Sequence, residues 1–580
     1  MFDSNNEFWY DYPIIATDAE GNKWINHHNH GRTIADRPYI TFDFDKVPGY
    51  IEGKWKPTKK TKVLLISLSN IYNTGVRCIH ATLINAGFDA HLLFFGYLLA
   101  NDYKEATQKD WDDLIDLVKK IDPAYIGISV ACSSYYPQAV KMSELLKQAF
   151  PGKLLLWGSI HAIIDPDQSI QHADMVCTGE GELCCLELAE RLERGLPYDD
   201  IPDFWVKKPD GAIIRNEPRP VIRNLDTIPY PLWNHTNKWS IRQNLYEQLD
   251  PAIKEVYIFI MTSRGCPYFC NYCVNSIFHK KLKKQGFHKI RQRTVDKVME
   301  ELRIIRQNFP KFERSQIAFF DDIFTIDTEW IKEFSRKYKA EFKNLFWCYF
   351  HPMLVKEEMV DALMDIGLSH IDIGIQTGSE RIRRKLMKRP ESNAVILKMM
   401  KLLKRKRVSV VFDVITDIPF ETDDDYRESL EFYLRLPGPY SFNFYSLIYF
   451  PKVEMTEMAL AHGFINREDV EDIGGKTLEQ FVSTFAYSKK RKPRDRFYLP
   501  LYHLAGRRVF PPWFVRWLSR RGSLKKNPWL LEWLVTMQSN IDIFRKMLKL
   551  PYYMATGRYD FGKLAARIQL YLSWERPYNK

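Results

Sequence analysis

Three cysteines stand close together near the middle of the chain. Cys266, Cys270 and Cys273 form a CxxxCxxC pattern in the segment MTSRGCPYFCNYCVNS. Thiolates are the natural ligands of iron–sulfur clusters, and a [4Fe–4S] cluster has four irons to ligate. Three cysteines would leave one iron free to bind a substrate or cofactor, and the adjacent Arg264 is expected to stabilise the thiolates. The alternative interpretation is a structural zinc site with a distant fourth ligand.

The segments around the cysteines predict a barrel that presents them at one rim. Short apolar strands alternate with helical segments, and the cysteine loop follows the first strand, EVYIFI. Six such units suit a partial (β/α)6 barrel of the TIM type, whose active sites lie at the carboxyl ends of the strands. This position favours a cluster over a zinc site. The later strands are predicted at residues 316–322, 345–350, 370–377, 408–415 and 440–450.

A separate α/β series precedes the barrel. Its strands, alternating with helices, predict a parallel, doubly wound, Rossmann-like sheet that binds ligands at the carboxyl ends of its strands. The predicted strands are residues 62–67, 90–95, 125–130, 153–158 and 174–182. The chain is therefore divided into an N-terminal extension (1–60), this sheet (61–200), a linker with a small hairpin (201–250), the barrel (251–455) and a helical, basic, Trp-rich C-terminal domain (456–580).

The cysteine loop resembles the signature of radical SAM enzymes, which have an aromatic residue, here Tyr272, before the third cysteine. Three later segments resemble that family in the right order: IAFFDDIFT with Asp321 and Asp322, IDIGIQTGSE in place of the "GIESGS" motif, and DIPFET in place of "GxPGET". The resemblance implies that the fourth iron binds S-adenosylmethionine (SAM) and that electron transfer to SAM yields a 5′-deoxyadenosyl radical. It also implies that SAM is contacted or supported by Tyr272, Asp322, Gln376, Ser379 and Glu421.

Two positions depart from the family pattern. Gln376 stands where the family usually has Glu, and Asp417-Ile418-Pro419-Phe420 replaces Gly-x-Pro-Gly. Simpler interpretations also remain open, because Asp321 with Asp322, and Glu421 with Thr422, are residue types that commonly cap helices.

The N-terminal sheet resembles the cobalamin-binding domain joined to many radical SAM enzymes. The resemblance assigns the cobalamin contacts to residues after the strands: Ser129, Gly158, Ser159, His161, Gly179, Glu180, Gly181 and Glu182. The loop SLSNIYNTGVRC after the first strand contains no His, so we predict cobalamin bound without a histidine ligand. His27, His28 and His30 precede that strand and are interpreted as a polar loop. The remaining cysteines are expected to be core thiols: Cys78, Cys132, Cys177, Cys184, Cys185 and Cys348.

The C-terminal region combines basic residues with tryptophans. Trp513 with Trp517, and Trp529 with Trp533, share helix faces at i, i+4 spacing. Basic residues surround them, and over the whole chain the excess of Lys and Arg over Asp and Glu gives a net charge of +12. We expect a helical cap whose tryptophans pack on the barrel, with the lysines in solvent. The alternatives are an interfacial helix on an anionic membrane and a lid over an apolar substrate. Neither a signal peptide nor an apolar run long enough to span a bilayer is recognised, which favours the cytoplasm, with peripheral contact to the inner face of the membrane as the alternative.

Two cofactors beside the cluster predict an enzyme with a division of labour. The leading hypothesis is methylation of an unactivated carbon in a small-molecule or lipid substrate, by radical hydrogen abstraction and transfer from methylcobalamin. The alternative is an oxidative cyclase or a rearrangement enzyme without net methylation. A tRNA methylthiotransferase is disfavoured because no second cysteine triad is present, and a cobalamin or redox sensor is disfavoured because the triad is intact. We expect an external donor of the flavodoxin or ferredoxin type and no nucleic-acid partner.

Overall fold

The computed structural model describes residues 56–467 and 492–548, with gaps at residues 97, 100–101, 104, 256, 285–289 and 508. Residue 470 and four short strands before residue 56 are also described. His27 and His30 of the predicted polar loop lie outside the described residues.

The first domain is built on a nine-stranded sheet with the order β7-β6-β5-β4-β3-β1-β2-β8-β9. Strands β1 to β5 are parallel, and their order 5-4-3-1-2 reverses between β1 and β3, which is the switch point of a doubly wound fold. The strands are β1 Lys62–Leu68, β2 Asp89–Phe95, β3 Tyr125–Ser129, β4 Leu154–Gly158, β5 Met175–Cys177, β6 Phe204–Lys207, β7 Ile213–Arg215, β8 Lys238–Arg242 and β9 Leu245–Glu247. The helices are α1 Thr74–Asn85, α2 Gln108–Ile121, α3 Tyr136–Ala149, α4 Ile160–Ile164, α5 Pro166–Ser169 and α6 Gly181–Glu193.

Both faces of this sheet are covered. Along β1, Val63 and Leu65 belong to one hydrophobic core, while Leu64 and Ile66 belong to another, because successive side chains point to opposite faces. Such two-sided burial explains why the central strands are continuous apolar runs that the sequence pattern identifies. The predicted doubly wound fold is confirmed.

The stretch predicted as a linker contributes four strands to the first sheet. The hairpin β6–β7 extends one edge of the sheet, next to β5, and β8–β9 extends the other, next to β2. Buried charges anchor the second hairpin: Asp250 accepts hydrogen bonds from the Arg77 guanidinium at 2.6 and 2.7 Å and from Lys238 at 3.0 Å. The Pro- and charge-rich composition hides these strands, because some of the charges are structural rather than solvated.

The second domain is an open parallel barrel. Its six strands pair in chain order, β10-β11-β12-β13-β14-β15, and all are parallel, as predicted for a partial (β/α)6 barrel. The strands are β10 Tyr257–Ile260, β11 Gln316–Phe319, β12 Phe346–Phe350, β13 Leu368–Gln376, β14 Val410–Thr416 and β15 Ser441–Ser446. The helices between them are α7 Asn275–Lys284, α8 Val295–Asn308, α9 Thr328–Glu341, α10 Glu357–Asp365, α11 Asn393–Arg405 and α12 Asp423–Arg435.

The described residues beyond the barrel are helical, as predicted. The long helix α14 packs on the barrel near α12: Tyr426 on α12 donates a hydrogen bond to Asp495 at 2.6 Å, and Tyr502 donates to the Tyr426 carbonyl at 3.0 Å. The helices are α13 Glu454–Ala461, α14 Pro493–Arg507, α15 Pro512–Ser519, α16 Gly522–Lys526 and α17 Trp529–Leu548.

The expectation that the tryptophans of this region pack on the barrel is wrong. Their exposed fractions are 67% for Trp513, 46% for Trp517, 59% for Trp529 and 54% for Trp533. The same helices instead bury their aliphatic residues, such as Val515 and Leu531. An i, i+4 pair identifies a helix face, but it does not say which face meets the core, and here the aliphatic face does.

Candidate active site

The three cysteines lie on a tight loop beyond the end of β10. Cys270 is buried and the other two thiols are half-buried. The Cys273 amide donates to the Cys270 carbonyl at 3.1 Å, and the Ser276 amide donates to the Cys273 carbonyl at 3.0 Å, which folds the loop back on itself. Gly265, with φ +103°, makes the turn into the loop in a conformation that favours glycine.

The thiols are close enough to affect one another's ionisation. Burial is the main influence on all three, and it raises the pKa of Cys266 and of Cys273 to about 12. Burial also raises the pKa of Cys270. The protein alone therefore keeps them protonated, and a bound cation would be needed to hold them as thiolates.

The donor set fits an iron–sulfur cluster better than a single metal ion. Within the described residues, no three His, Cys, Asp or Glu side chains converge as they would around one ion. In a four-iron cluster each cysteine ligates a different iron, so the three thiols need not converge on a single point. The zinc interpretation is not supported by this geometry.

Arg389 supplies the positive charge next to the cysteines, which is the role that the sequence suggested for Arg264. It donates to the Tyr272 hydroxyl at 2.9 Å and to the Gly374 carbonyl at 2.6 Å, and it pairs with the buried Glu391. Its charge acts to lower the pKa of Cys270, against the larger effect of burial. Arg389 follows the third motif in sequence, but the CxxxCxxC pattern gives no sign of it.

Asp321 holds the end of β10 in place. Its carboxylate accepts hydrogen bonds from the Thr262 and Ser263 amides at 2.8 and 2.5 Å, and from their hydroxyls at 3.1 and 2.7 Å. The next helix, α9, is capped by Asp327, so neither Asp321 nor Asp322 is a helix cap. Asp322 is exposed, and its charge acts on Cys266.

The predicted SAM residues of the later strands lie in different settings. Gln376 is at a bulge at the end of β13 with φ +62°, and its side chain folds over Gly374, where an added Cβ would lie 2.4 Å from the Gln376 Nε2. Ser379 is fully buried, and its hydroxyl lies 2.9 Å from Asp425 Oδ1 and 2.8 Å from Glu428 Oε2. The Ser379 hydroxyl is therefore engaged with α12.

Glu421 lies against the C-terminal helix α14. Burial raises its pKa to about 8, although the Arg494 charge opposes this, and Arg494 also donates to the Glu421 carbonyl at 2.9 Å. The neighbouring Thr422 caps α12 in a reciprocal capping box with Asp425. The cap interpretation therefore holds for Thr422.

The non-glycine residues of the DIPF turn adopt the backbone that glycine favours. Asp417 has φ +59° and Phe420 has φ +65°, at the two positions where the resemblance expects Gly. Phe420 packs its ring on His462 and Phe464, with centroids 5.1 and 4.3 Å apart. The turn thus keeps its shape in spite of the substitutions.

A cavity of about 410 Å³ lies between the carboxyl edge of the first sheet and the residues of the barrel that lead into the cysteine loop. Seven of the eight predicted cobalamin residues line it: Ser129, Gly158, Ser159, Gly179, Glu180, Gly181 and Glu182. From the barrel side, Ser263, Arg264 and Gly265 line it as well. The position fits a ligand bound between the two domains, at the strand ends where doubly wound folds bind ligands.

His161 is not among the residues that line this cavity. It is a buried residue of α4, its Nδ1 lies 3.0 Å from the Ser133 hydroxyl, and burial lowers its pKa to about 4. Its ring packs against Tyr136, with centroids 5.0 Å apart. These contacts describe a neutral core imidazole.

Glu180 and Glu182 form ion pairs with the barrel. Arg264 reaches both, at 2.9 Å from Glu180 and 2.5 Å from Glu182, and Arg291 pairs with Glu180 at 2.9 Å. Burial opposes the ionisation of Glu180, but the two arginines outweigh it and lower the pKa to about 2. Arg264, expected from sequence beside the thiolates, therefore joins the domains instead.

Sequence reasoning missed the part of the cavity wall that comes from the predicted linker. Asp203, Arg219 and Ile222 line the cavity, and Arg219 pairs with Asp203 at 3.0 Å. An added Cβ at Gly179 would lie 2.2 Å from Asp203 Oδ1, so the glycine allows this close approach. The Gly-x-Gly turn identified this loop from the sequence, but nothing in the sequence identified Asp203 as the residue that packs against it.

These features describe a doubly wound domain that meets the rim of an open barrel, with a cavity between the two. Comparison with known families agrees with this architecture. Residues 61–189 match the B12 binding domain, and residues 260–433 match the radical SAM superfamily. The chain belongs to the radical SAM enzymes that carry a B12-binding domain. The cofactors predicted from the sequence, a [4Fe–4S] cluster, SAM and cobalamin, are those of this family.

Three individual similarities illustrate the relationship. An uncharacterised methyltransferase of Pyrococcus horikoshii is 25% identical over 366 residues, which are 62% of this chain and 74% of the relative. The cytidylyl-2-hydroxyethylphosphonate methyltransferase of Streptomyces wedmorensis is 24% identical over 387 residues, 58% of this chain and 69% of that protein. The structure of the cobalamin-dependent SAM radical enzyme OxsB, with aqua-cobalamin and SAM bound, superposes with a TM-score of 0.53 at 16% identity.

The match to OxsB covers 74% of this chain and 58% of OxsB, so the chain spans less than two thirds of that enzyme. At this identity the superposition supports the fold.

Proposed function

We propose that this enzyme transfers a methyl group to an unactivated carbon of a small-molecule substrate. The observation that carries the proposal is the cavity that runs from the predicted cobalamin residues to Ser263, Arg264 and Gly265, just before the first cysteine, because cobalamin bound there would lie next to the cluster loop. When bound, the cluster with SAM would supply hydrogen abstraction and cobalamin would supply the methyl group. The names of the two relatives, both methyltransferases, support the same reaction type.

Within this proposal, Cys266, Cys270 and Cys273 hold the cluster. Arg389 orients Tyr272 by donating to its hydroxyl, and Tyr272, Asp322 and Gln376 would contact SAM. Ser379 and Glu421 would support these contacts indirectly, through α12 and α14. Seven cavity residues would contact cobalamin: Ser129, Gly158, Ser159, Gly179, Glu180, Gly181 and Glu182.

The test is an anaerobic reconstitution with iron, sulfide, cobalamin, SAM and a reductant. Mass spectrometry quantifies 5′-deoxyadenosine and S-adenosylhomocysteine, because one SAM is consumed for hydrogen abstraction and another to remethylate cobalamin. The expected result is both products from the wild-type protein and neither from Cys270→Ala. Cys132→Ala is the matched control, since Cys132 is a half-buried thiol outside the loop.

The outcomes separate the candidates. Deoxyadenosine without S-adenosylhomocysteine, in the presence of turned-over substrate, would favour a cyclase or rearrangement enzyme over a methyltransferase. Absence of both products from a protein with a verified cluster would contradict the radical mechanism itself. In the cell, an external one-electron donor would do what the chemical reductant does in this assay.

We further propose that the C-terminal helices touch an anionic membrane surface. None of the helices in the described part of the chain has the length and apolar character that crossing a bilayer requires. The four exposed tryptophans of α15 and α17 flank the exposed basic residues Arg520, Arg521 and Lys526. Tryptophan with basic residues is the composition of interfacial helices, which bind anionic lipid by apolar burial and charge together.

Vesicle sedimentation tests this surface. The protein should bind vesicles containing phosphatidylglycerol and bind phosphatidylcholine vesicles weakly, and Trp513→Ser with Trp517→Ser should lose most of the binding. Leu196→Ser is the control, because Leu196 is 50% exposed on the first domain, away from these helices. Equal sedimentation of the tryptophan variant and the control would contradict the proposal.

A further inference from the structure

The interior of the barrel carries charged groups that the cluster and the cavity do not use. Along β14, Phe412 and Val414 are buried under the helices, while Asp413 between them is half-buried and on the opposite face. Asp372 on β13 and Asn443 on β15 occupy the same inner face, because alternate residues of a strand share a face. Asp413 lies beside Gly374 in the strand register and beside Asn443 on its other side.

The two carboxyl groups are poorly compensated: burial raises the pKa of both, and the charge of Asp413 raises that of Asp372 further. The Asn443 amide donates to Asp413 Oδ1 at 3.0 Å, whereas Asp372 Oδ1 is buried without a hydrogen-bond partner. Within the described residues, no Lys or Arg forms an ion pair with either carboxylate, and the Nε2 of His370 lies 3.9 Å from Asp372 Oδ1. Burying an unpaired carboxylate is costly, so such groups mark sites where a ligand completes the set.

Two tyrosines complete this polar wall. Tyr349 is the cross-strand neighbour of Asp372, and Tyr445 is two residues beyond Asn443 on β15. The strand register puts the four groups on the same face, and burial, followed by the charges of both aspartates, raises the pKa of each tyrosine. The tyrosine hydroxyls remain protonated and can orient a polar ligand.

An aromatic wall faces the interior from the first three strands. Phe259, Phe320 and Trp347 meet edge to face, with centroids 5.4 Å apart for Phe259–Phe320, 6.2 Å for Phe320–Trp347 and 6.3 Å for Phe259–Trp347. Tyr349 joins them at 5.4 Å from Phe320. Phe320 is 44% exposed although it lies inside the barrel rim, so part of its surface faces an open space.

We propose that the barrel interior binds the substrate of the proposed reaction through a protonated nitrogen group, held between Asp372 with Asp413 and the aromatic wall. This inference rests on the proposed function in one respect, because the proposed function is what makes the bound ligand the substrate. Aromatic faces attract cations, and a carboxylate completes the pairing, so the two walls together favour an ammonium-type ligand. A neutral planar ligand would satisfy the aromatic wall but leave the carboxylates without a partner.

The test compares two probes of the same shape on the full chain. Phenethylammonium carries the cationic group next to a ring, and 2-phenylethanol is its neutral counterpart. Titration calorimetry or ligand-observed NMR should show the wild-type protein binding the ammonium probe about tenfold more tightly. Asp372→Asn with Asp413→Asn keeps the shape and should abolish that preference. Asp361→Asn, on the outer face of α10 and paired with Lys406, is the control and should retain it.

The wild-type comparison alone decides the proposal if the variants fail to fold. Equal affinity of the wild-type protein for the two probes, including no detectable binding of either, would overturn it. So would an unchanged preference in the Asp372→Asn, Asp413→Asn variant. Because binding needs no turnover, a protein that prefers the ammonium probe but forms no 5′-deoxyadenosine would refute the proposed function and leave the cation site standing.

Discussion

At the scale of single residues, the cysteine loop depends on Arg389. The side chain is almost completely buried, as is that of its partner Glu391, so both charges have left water. Such a pair is costly to assemble and far more costly to break, because removing one partner leaves the other charge unpaired in the interior. Arg389 thereby links the third barrel motif to Tyr272 and to the pKa of Cys270.

Replacing Arg389 tests this link. Arg389→Met should lower the free energy of unfolding by about 3–5 kcal/mol, since Glu391 stays buried without its partner. Adding Glu391→Met should restore part of that loss, because the pair is then replaced by apolar groups. Chemical denaturation of the cluster-free protein measures both.

The control for the Arg389 and Glu391 variants is Arg384, which lies five residues before Arg389. Arg384→Met removes an exposed arginine that pairs with Glu380, and it should change stability by less than about 0.5 kcal/mol. If Arg389→Met were as stable as Arg384→Met, the assigned role of Arg389 would be refuted.

Glu421 makes stability depend on pH in an unusual direction for a carboxyl group. Its pKa rises from 4.5 to about 8 on folding, so the folded state holds a proton that the unfolded state has lost between these values. Stability contributed by this group therefore falls as the pH rises through that window. Glu421→Gln should be more stable than the wild type at pH 8 by about 1–3 kcal/mol and no different near pH 4.

Thermal unfolding across that pH range measures the difference. Glu431→Gln, at an exposed residue that pairs with Arg516, is the control and should show no such trend. A stability difference between Glu421→Gln and the wild type that stays constant with pH would argue against a raised pKa.

At the scale of elements, the sequence predicts the strands and helices that follow a periodic pattern. It misses the features that form only when distant parts of the chain meet. The central strands of both sheets are apolar runs of the expected length, so periodicity finds them and their order follows from the β/α alternation. The strands β6 to β9 are short and rich in charge, and only their backbone pairing with β5 and β2 shows that they belong to the sheet. The motif pattern predicted which site loops matter, whereas Arg389 and the Asp372–Asp413 pair become visible only when distant strands are assembled.

The contact between α14 and the barrel gives a prediction whose sign opposes helix propensity. Ala is normally the better helix former, by about 1 kcal/mol over Gly. At Gly506, however, an added Cβ would lie 2.7 Å from the Tyr440 carbonyl oxygen, which is backbone and cannot swing away. Gly506→Ala should therefore destabilise the protein by about 1–3 kcal/mol, as overpacked sites do.

A second glycine serves as the matched control for Gly506. At Gly522, at the start of α16, an added Cβ meets nothing within 4 Å, so Gly522→Ala should be neutral or slightly stabilising. Thermal unfolding of the two variants gives the comparison. Stabilisation by Gly506→Ala would mean that α14 does not pack against the barrel at this distance.

At the scale of the whole molecule, two ion-pair contacts join the first domain to the barrel at places of different burial. At the cavity, Arg264 pairs with Glu180 and Glu182, whose side chains are 21% and 5% exposed. Elsewhere, Lys452 pairs with Asp165 and Asp167, and its side chain is 48% exposed. Solvent screens the second contact much more than the first, so the cavity contact should dominate the coupling between the domains.

The two contacts can be weighed against each other with a pair of variants. Arg264→Met removes the ion pair of Glu182 and leaves Glu180 paired with Arg291, and it should reduce stability by about 1–3 kcal/mol, between the values for exposed and fully buried pairs. Lys452→Met should cost less than about 1 kcal/mol. Because Gly179–Glu182 line the cavity, Arg264→Met should also weaken cobalamin binding, while Lys452→Met should not. Fluorescence quenching by cobalamin measures its affinity separately from unfolding. If the two variants bound cobalamin equally well, the ion pairs would hold the two domains together without shaping the cobalamin site between them.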